Sequence, residues 1–184
     1  MNKDIILIGG TAGVGKTTLA REICYHLSID HRLGTGFIRE IIRSQTDQKS
    51  DPYLFNYTFG TEDPIKNYKK QCDSLYSSIT ACIKRARLEG TSLIIEGNHL
   101  LPSLYKDQAD KFIILDSQDF NEHRNRIVGK SHLNREISDY DFSKVRKIQD
   151  YIISDANKNG ISIINYKNNI EEIINMIKNE WNYY

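Results

Sequence analysis

Apolar runs and helical patterns take turns along this chain. Residues 4–8 (Asp-Ile-Ile-Leu-Ile) form an unbroken apolar run just ahead of two glycines, which predicts a strand buried on both faces. Leu19, Ile23 and Leu27 follow at four-residue steps, the spacing of one helix face. Residues 31–36 hold a short second strand, and 37–43 a short helix carrying Ile38, Ile41 and Ile42. Residues 45–63 are polar and aromatic with little periodicity. A long helix is predicted over 63–89, with Cys72, Leu75, Ile79, Cys82 and Ala86 on one stripe and Gly90 as its stop. Residues 92–95 and 112–115 read as further buried strands. Phe142, Val145, Ile148, Ile152 and Ala156 mark a helix that stops near Gly160. Residues 161–164 read as the last strand, and Ile170, Ile173, Ile174 and Ile177 as a closing helix.

Unalternating strands separated by helices predict an α/β fold: a three-layer α/β/α sandwich around a parallel sheet. Such sheets carry their chemistry beyond the carboxyl ends of the strands, so every candidate residue should follow a strand. There are no repeats and no Pro/Gly/Ser linker, so the 184 residues read as a single domain, with an insertion at about 37–75 and a lid at about 119–140.

The segment Gly10-Thr11-Ala12-Gly13-Val14-Gly15-Lys16-Thr17 satisfies G-x-x-x-x-G-K-[ST] at every position, and it lies between a strand and a helix as that motif requires. Glycines let the backbone wrap closely around phosphate oxygens, successive N–H groups form an anion nest, and the helix adds its positive end. Lys16 is expected to reach the β- and γ-phosphates of ATP, and Thr17 to place its hydroxyl on Mg²⁺. Thr18 either contacts the α-phosphate or is a surface threonine. The bland alternative is a glycine-rich turn without a ligand.

Glu96 leaves its strand at the same edge, where a carboxylate would hold a magnesium-bound water, accept a proton from an acceptor hydroxyl, or simply cap the next segment. His99, three residues on, is either a ligand to an anionic substrate or structural. His123, Arg124, Arg126, Lys130, His132 and Arg135 cluster after the strand ending at Asp116. They read as a lid closing over a transferring phosphoryl group, or as a solvated basic face. No glycine has an aspartate three places before it, and Asn157-Lys158-Asn159-Gly160 lacks the aspartate of a guanine reader, which argues against a GTP switch. The loop at 165–168 is expected beside the base. Tyr53, Phe55, Tyr57 and Phe59 would stack on a base or, more plainly, pack the acceptor site.

Twenty-five basic and 24 acidic residues leave a formal net charge of +1, which gives no field for nucleic acid or anionic membrane. Cys24, Cys72 and Cys82 lack metal-site spacing and read as reduced, buried thiols of a cytoplasmic protein. The first eight residues are too short for a secretory leader, and no apolar stretch is long enough to span a bilayer.

Taken together, the phosphate loop, Ile38-Arg39-Glu40, Ile94-Ile-Glu-Gly-Asn-His-Leu-Leu-Pro102, His123-Arg124-Asn125-Arg126, and the helix with Arg146, Gln149 and Tyr151 resemble the 2-phosphoglycerate kinase family of P-loop kinases. The resemblance spans about residues 5–164 and implies a nucleoside-monophosphate-kinase-like fold. It implies ATP-dependent phosphorylation of the hydroxyl of 2-phosphoglycerate, with Arg39, His99, Arg124, Arg126 and Arg146 contacting phosphate and carboxylate groups. Thr35-Gly36 stands where that family has Thr-Asp, Lys130 where a further arginine is usual, Ile127 where an aromatic is usual, and Asn98 where a small apolar residue is usual. The residues also leave open a nucleoside, nucleotide or sugar acceptor, and a non-catalytic ATP-binding regulator.

Overall fold

The computed structural model describes residues 4–129, 131–132, 135–165 and 170–179. Chain order is β1 (Ile5–Gly9), α1 (Lys16–Leu27), β2 (His31–Gly34), α2 (Thr35–Gln45), a 3₁₀ turn (Pro52–Phe55), α3 (Pro64–Glu89), β3 (Leu93–Gly97) and α4 (Pro102–Tyr105). There follow β4 (Lys111–Asp116), α5 (Phe120–Ile127), β5 (Ser131–His132), β6 (Arg135–Glu136), α6 (Asp139–Lys158), β7 (Ser162–Asn165) and α7 (Ile170–Asn179). Five strands form one parallel sheet in the order β2-β3-β1-β4-β7, and β5 pairs antiparallel with β6. The expected α/β/α sandwich is therefore the observed one.

Both sheet faces are covered, which is why β1 is apolar at consecutive positions. Ile5, Leu7, Ile95 and Ile114 turn to one side, where Cys72, Leu75 and Ile79 of α3 meet Val145, Ile148 and Ile152 of α6. Ile6, Ile8, Ile94 and Leu115 turn to the other, against Leu19 and Ile23 of α1 and Ile173 and Ile177 of α7. This period of two, buried on each side, is the signature of a central parallel strand.

Local signals end the helices where the chemistry demands. The Asp63 side chain accepts from the Lys66 N–H at 3.0 Å and Pro64 opens α3, while Gly90 closes it at φ 66°. The Ser138–Asp141 capping box starts α6 before its first apolar position. The short strand expected over 31–36 stops at Gly34, and α2 begins at Thr35 rather than Phe37. The cysteines are unpaired thiols, with Cys72 buried and Cys24 and Cys82 partly buried against the two core layers. Among the described residues no helix is long and apolar enough to cross a membrane.

Ile79, on the apolar stripe by which α3 packs into this core, is fully buried. Ile79→Ala should lower the unfolding free energy by about 2–5 kcal/mol in urea titrations, with the denaturant slope unchanged. A loss below about 1 kcal/mol would contradict close packing of α3 on the sheet.

Candidate active site

The loop between β1 and α1 is built on glycines at positive φ: Gly10 at 128°, Gly13 at 77° and Gly15 at 99°. A Cβ at Gly10 would stand 2.6 Å from the Leu115 carbonyl oxygen, so the loop also lies hard against the end of β4. Gln149 of α6 secures it: its Oε1 accepts from the Thr11 N–H at 3.0 Å and the Thr11 hydroxyl at 2.7 Å, and its Nε2 donates to the Leu115 carbonyl at 2.9 Å. Lys16 is buried, and its ammonium donates to the Thr11 carbonyl at 2.5 Å. Burial lowers its pKa to about 8, with Glu96 opposing the shift.

Parallel register sets Ile8 of β1 opposite Glu96 of β3. This brings the Glu96 carboxylate to the loop, where Oε1 accepts from the Thr17 hydroxyl at 3.1 Å and lies 3.5 Å from the Arg32 guanidinium. A hydroxyl and a carboxylate at that spacing suit Mg²⁺, which takes few protein oxygens and keeps several waters. Gly13, Gly15, Lys16, Thr17, Thr18 and Arg126 line a hollow of about 420 Å³. The structure therefore gathers the expected loop residues, Glu96 and Arg126 at one edge, and puts Thr18 on the hollow rather than away from it.

A second hollow, of about 450 Å³, opens beside the first and shares Lys16 and Thr17 with it. Arg39, Glu96 and His99 line it, together with Gly36, Phe37, Tyr57 and Phe59. Arg39 is nearly buried, and its guanidinium donates to the Leu54 carbonyl at 2.6 and 3.0 Å and to the Asn56 carbonyl. It thus holds the aperiodic segment 52–58 as well as facing the hollow.

His99 is equally committed. Gln71 gives its amide hydrogens to the Tyr53 and Asn56 carbonyls, so its Oε1 is the atom that meets Thr58 Oγ1 at 2.8 Å and His99 Nε2 at 3.1 Å. His99 must then donate from Nε2, and its Nδ1 accepts from the Thr35 hydroxyl at 3.2 Å. Burial first, and then the Arg39 and Lys16 charges, push its pKa down to about 3, so the ring is neutral. Both nitrogens are occupied by protein partners, which is the structural of the two alternatives open for His99.

The remaining arginines part company. Arg124 is held by Asp139 in a two-pronged pair at 2.5 and 2.8 Å and does not line either hollow. Arg146 donates to the Ser117 carbonyl at 2.8 Å and approaches His123 Nδ1 at 3.3 Å, at the root of α5 and outside both hollows. Lys130, the side chains of His132 and Arg135, and the 166–168 stretch of the expected base loop lie outside the described residues. Tyr57 and Phe59 stack at 6.2 Å on the second hollow, whereas Phe55 lies under Arg43.

Gln71, Asn67 and Thr58 anchor the site without belonging to any motif, and Gln149 anchors it from the helix that carries Arg146. A signal existed. Asn67 and Gln71 sit on the same stripe of α3 as Tyr68, Cys72 and Leu75, and a polar residue on an apolar stripe is a buried polar group needing partners.

No family model matches the chain. It is 31% identical over 178 residues to 2-phosphoglycerate kinase of Methanocaldococcus jannaschii, an alignment covering 87% of this chain and 57% of that protein. It is 29% identical over 193 residues to 2-phosphoglycerate kinase of Methanopyrus kandleri, covering 94% and 59%. The chain thus spans less than two thirds of the length of these relatives. Among solved structures it is similar to shikimate kinase from Aquifex aeolicus, with a TM-score of 0.55 at 14% identity, covering 96% of this chain and 95% of that one. It is also similar to a sugar kinase from Janibacter sp., with a TM-score of 0.60 at 13% identity, covering 97% and 94%. At that identity the likeness is one of fold. The chain is similar in sequence to part of these 2-phosphoglycerate kinases and shares the α/β fold of the two solved structures.

The His99 environment has a measurable consequence. Its folded pKa of about 3 lies below the ordinary 6.5, so its neutral form contributes stability that is complete above pH 6.5 and is lost as pH falls toward 3. Urea unfolding at pH 7 and pH 5 should show a steeper loss for the native protein than for His99→Gln, the difference approaching about 1.4 kcal/mol per pH unit. Parallel slopes would mean that His99 titrates normally in the fold.

Proposed function

We propose that this chain is an ATP-dependent kinase that moves the γ-phosphoryl group onto a hydroxyl of a small anionic metabolite, with 2-phosphoglycerate as acceptor. One observation carries the reading: the loop hollow and the Arg39 hollow meet at Lys16 and Thr17, with Glu96 at the junction. Nucleotide phosphates in the first and an acceptor in the second would be set in line across that junction. Similarity to the archaeal 2-phosphoglycerate kinases supports the choice of acceptor.

The chain's own residues then have distinct work. The N–H groups of the Gly10–Thr17 loop and the start of α1 would cradle the phosphates. Lys16 would leave the Thr11 carbonyl and follow charge on the transferring group. Its lowered pKa means that it takes up a proton as the phosphate anion arrives at mildly alkaline pH. Arg126, already on the loop hollow, would stabilise the same charge. Thr17 and Glu96 would hold Mg²⁺, which supplies charge neutralisation when bound. Glu96 is also placed to orient the acceptor hydroxyl. Arg39 would meet the acceptor's anionic end, with His99 holding the wall beside it. Arg124 would have to release Asp139, and Arg146 the Ser117 carbonyl, before either could contribute to binding.

A second acceptor class is favoured by one feature. Phe37, 79% exposed, stands with Tyr57 and Phe59 around the second hollow, and such a rim suits the face of a sugar or nucleoside. Position 36 is open: beyond its chain neighbours and its own helix backbone no atom lies within 4 Å of where a Cβ would stand, and glycine there leaves this side without the carboxylate that an aspartate would bring.

ADP release from magnesium-ATP should rise strongly with 2-phosphoglycerate and not with 3-phosphoglycerate, glycerate, sugars or nucleosides. Stimulation by another acceptor would keep the kinase and discard the acceptor. Nucleotide binding without stimulation by any of them would favour a regulator. Lys16→Ala should abolish transfer with the fold intact, and Glu96→Gln should lower kcat about 10²-fold or more while moving nucleotide affinity little. Equal loss of both in Glu96→Gln would make Glu96 structural.

A further inference from the structure

The basic segment after β4 begins with a histidine that is fully buried. His123 lies on the inner face of α5, with its ring edge-on to Phe142 of α6 at 5.2 Å. Its Nε2 stands 2.8 Å from the Ala12 carbonyl oxygen in the middle of the phosphate loop. Its Nδ1 stands 3.3 Å from Arg146 Nη1, which is anchored on the Ser117 carbonyl.

The hydrogen bonds assign the ring. A guanidinium only donates and a carbonyl only accepts, so Nδ1 accepts from Arg146 and Nε2–H donates to Ala12. Burial keeps the His123 pKa below its ordinary value; Arg146 and Arg126 press in the same direction, and the Ala12 bond and Asp116 oppose them. The neutral ring with hydrogen on Nε2 is the form that satisfies both neighbours.

This matters because the Ala12 carbonyl and the Gly13 N–H share one rigid trans peptide plane and point in opposite directions. Holding the carbonyl on α5 turns the Gly13 N–H away from α5, toward the hollow that Gly13 lines with Gly15 and Lys16. The contact leaves no slack: a Cβ at Gly13 would stand 2.5 Å from the Ile127 side chain and 3.3 Å from the His123 ring. The next carbonyl, that of Gly13, lies 3.5 Å from Arg126 Nη1 on the same helix.

We propose that His123, oriented by Arg146, is a positioning residue that sets the peptide plane presenting the Gly13 N–H to a nucleotide phosphate. Arg146 on this account acts on the nucleotide side through His123 rather than by touching the acceptor. The inference rests on reading the Gly10–Thr17 loop as a nucleotide site.

The test is the affinity of a fluorescent ADP analogue with magnesium and no acceptor, together with thermal melting, for the native chain and three variants. His123→Phe keeps the ring's bulk and removes the donor; it should weaken binding about tenfold, the worth of one such hydrogen bond. His123→Gln can place an amide N–H near the Nε2 position and should stay within about threefold of native, a rescue that lost packing alone would not give. Arg146→Leu should weaken binding in the same direction as His123→Phe. If the native chain binds no nucleotide, the loop reading falls and takes this inference with it. If the native chain binds but folded His123→Phe binds equally well, or folded His123→Gln loses as much as His123→Phe, the inference alone is overturned. Should His123→Phe not fold, Arg146→Leu decides: native affinity there would put Arg146 with the acceptor and overturn the relay.

Discussion

The parallel pairing of β1 with β3 is the constraint on which this site depends. It sets Gly9 beside Gly97 and Ile8 beside Glu96, so that two loops separated by more than eighty residues leave the sheet together. Alternation does the rest. Ile94 faces α1, so Glu96 does too, and Thr17 at the start of that helix meets it. A slip of one residue would turn Glu96 under α3, into an apolar layer where a carboxylate has no partner. Gly97 seals the arrangement. A Cβ there would stand 1.8 Å from Thr35 Oγ1, so the turn after β3 lies directly against the start of α2, and the second hollow forms in that corner.

Primary amides tie the aperiodic backbone to this frame. Gln71 and Asn67, on the buried face of α3, donate to the carbonyls of Tyr53, Asn56, Tyr57 and Thr58. Gln149 does the same between the phosphate loop and the end of β4. A side-chain amide both donates and accepts, so one residue satisfies groups of either kind that irregular backbone leaves over. Leaving such a buried group unpaired costs about 1–3 kcal/mol, which is why these segments hold one shape without being helix or strand.

Several of the basic residues are occupied in the same way. Arg39, Arg124 and Arg146 all spend hydrogens on carbonyls or on a carboxylate of the chain, and His99 and His123 are buried neutral rings. Among the described residues Lys16 and Arg126 are the cations that line the loop hollow. Among the described residues the second hollow shares Lys16 with the first and adds Arg39, whose guanidinium is already engaged with backbone, beside Phe37, Tyr57 and Phe59.

What the sequence determined by itself is what short-range chemistry determines. The unalternating runs at residues 5–8, 93–95 and 112–115 could be satisfied only by a sheet covered on both faces, and the glycine spacing around Lys16 only by a loop turning at positive φ into a helix. Asp63, Pro64 and Gly90 bounded α3 almost to the residue because caps are local. What only the tertiary structure decided was where long polar side chains end. An arginine aimed at a phosphate and one locked on a carbonyl read alike in sequence. Arg124 on Asp139, Arg146 on Ser117, His99 between Thr35 and Gln71, and His123 under Ala12 all have partners 15 to 111 residues away. Such pairings exist only once the sheet has brought its loops to one edge, and no periodicity or spacing along the chain encodes them.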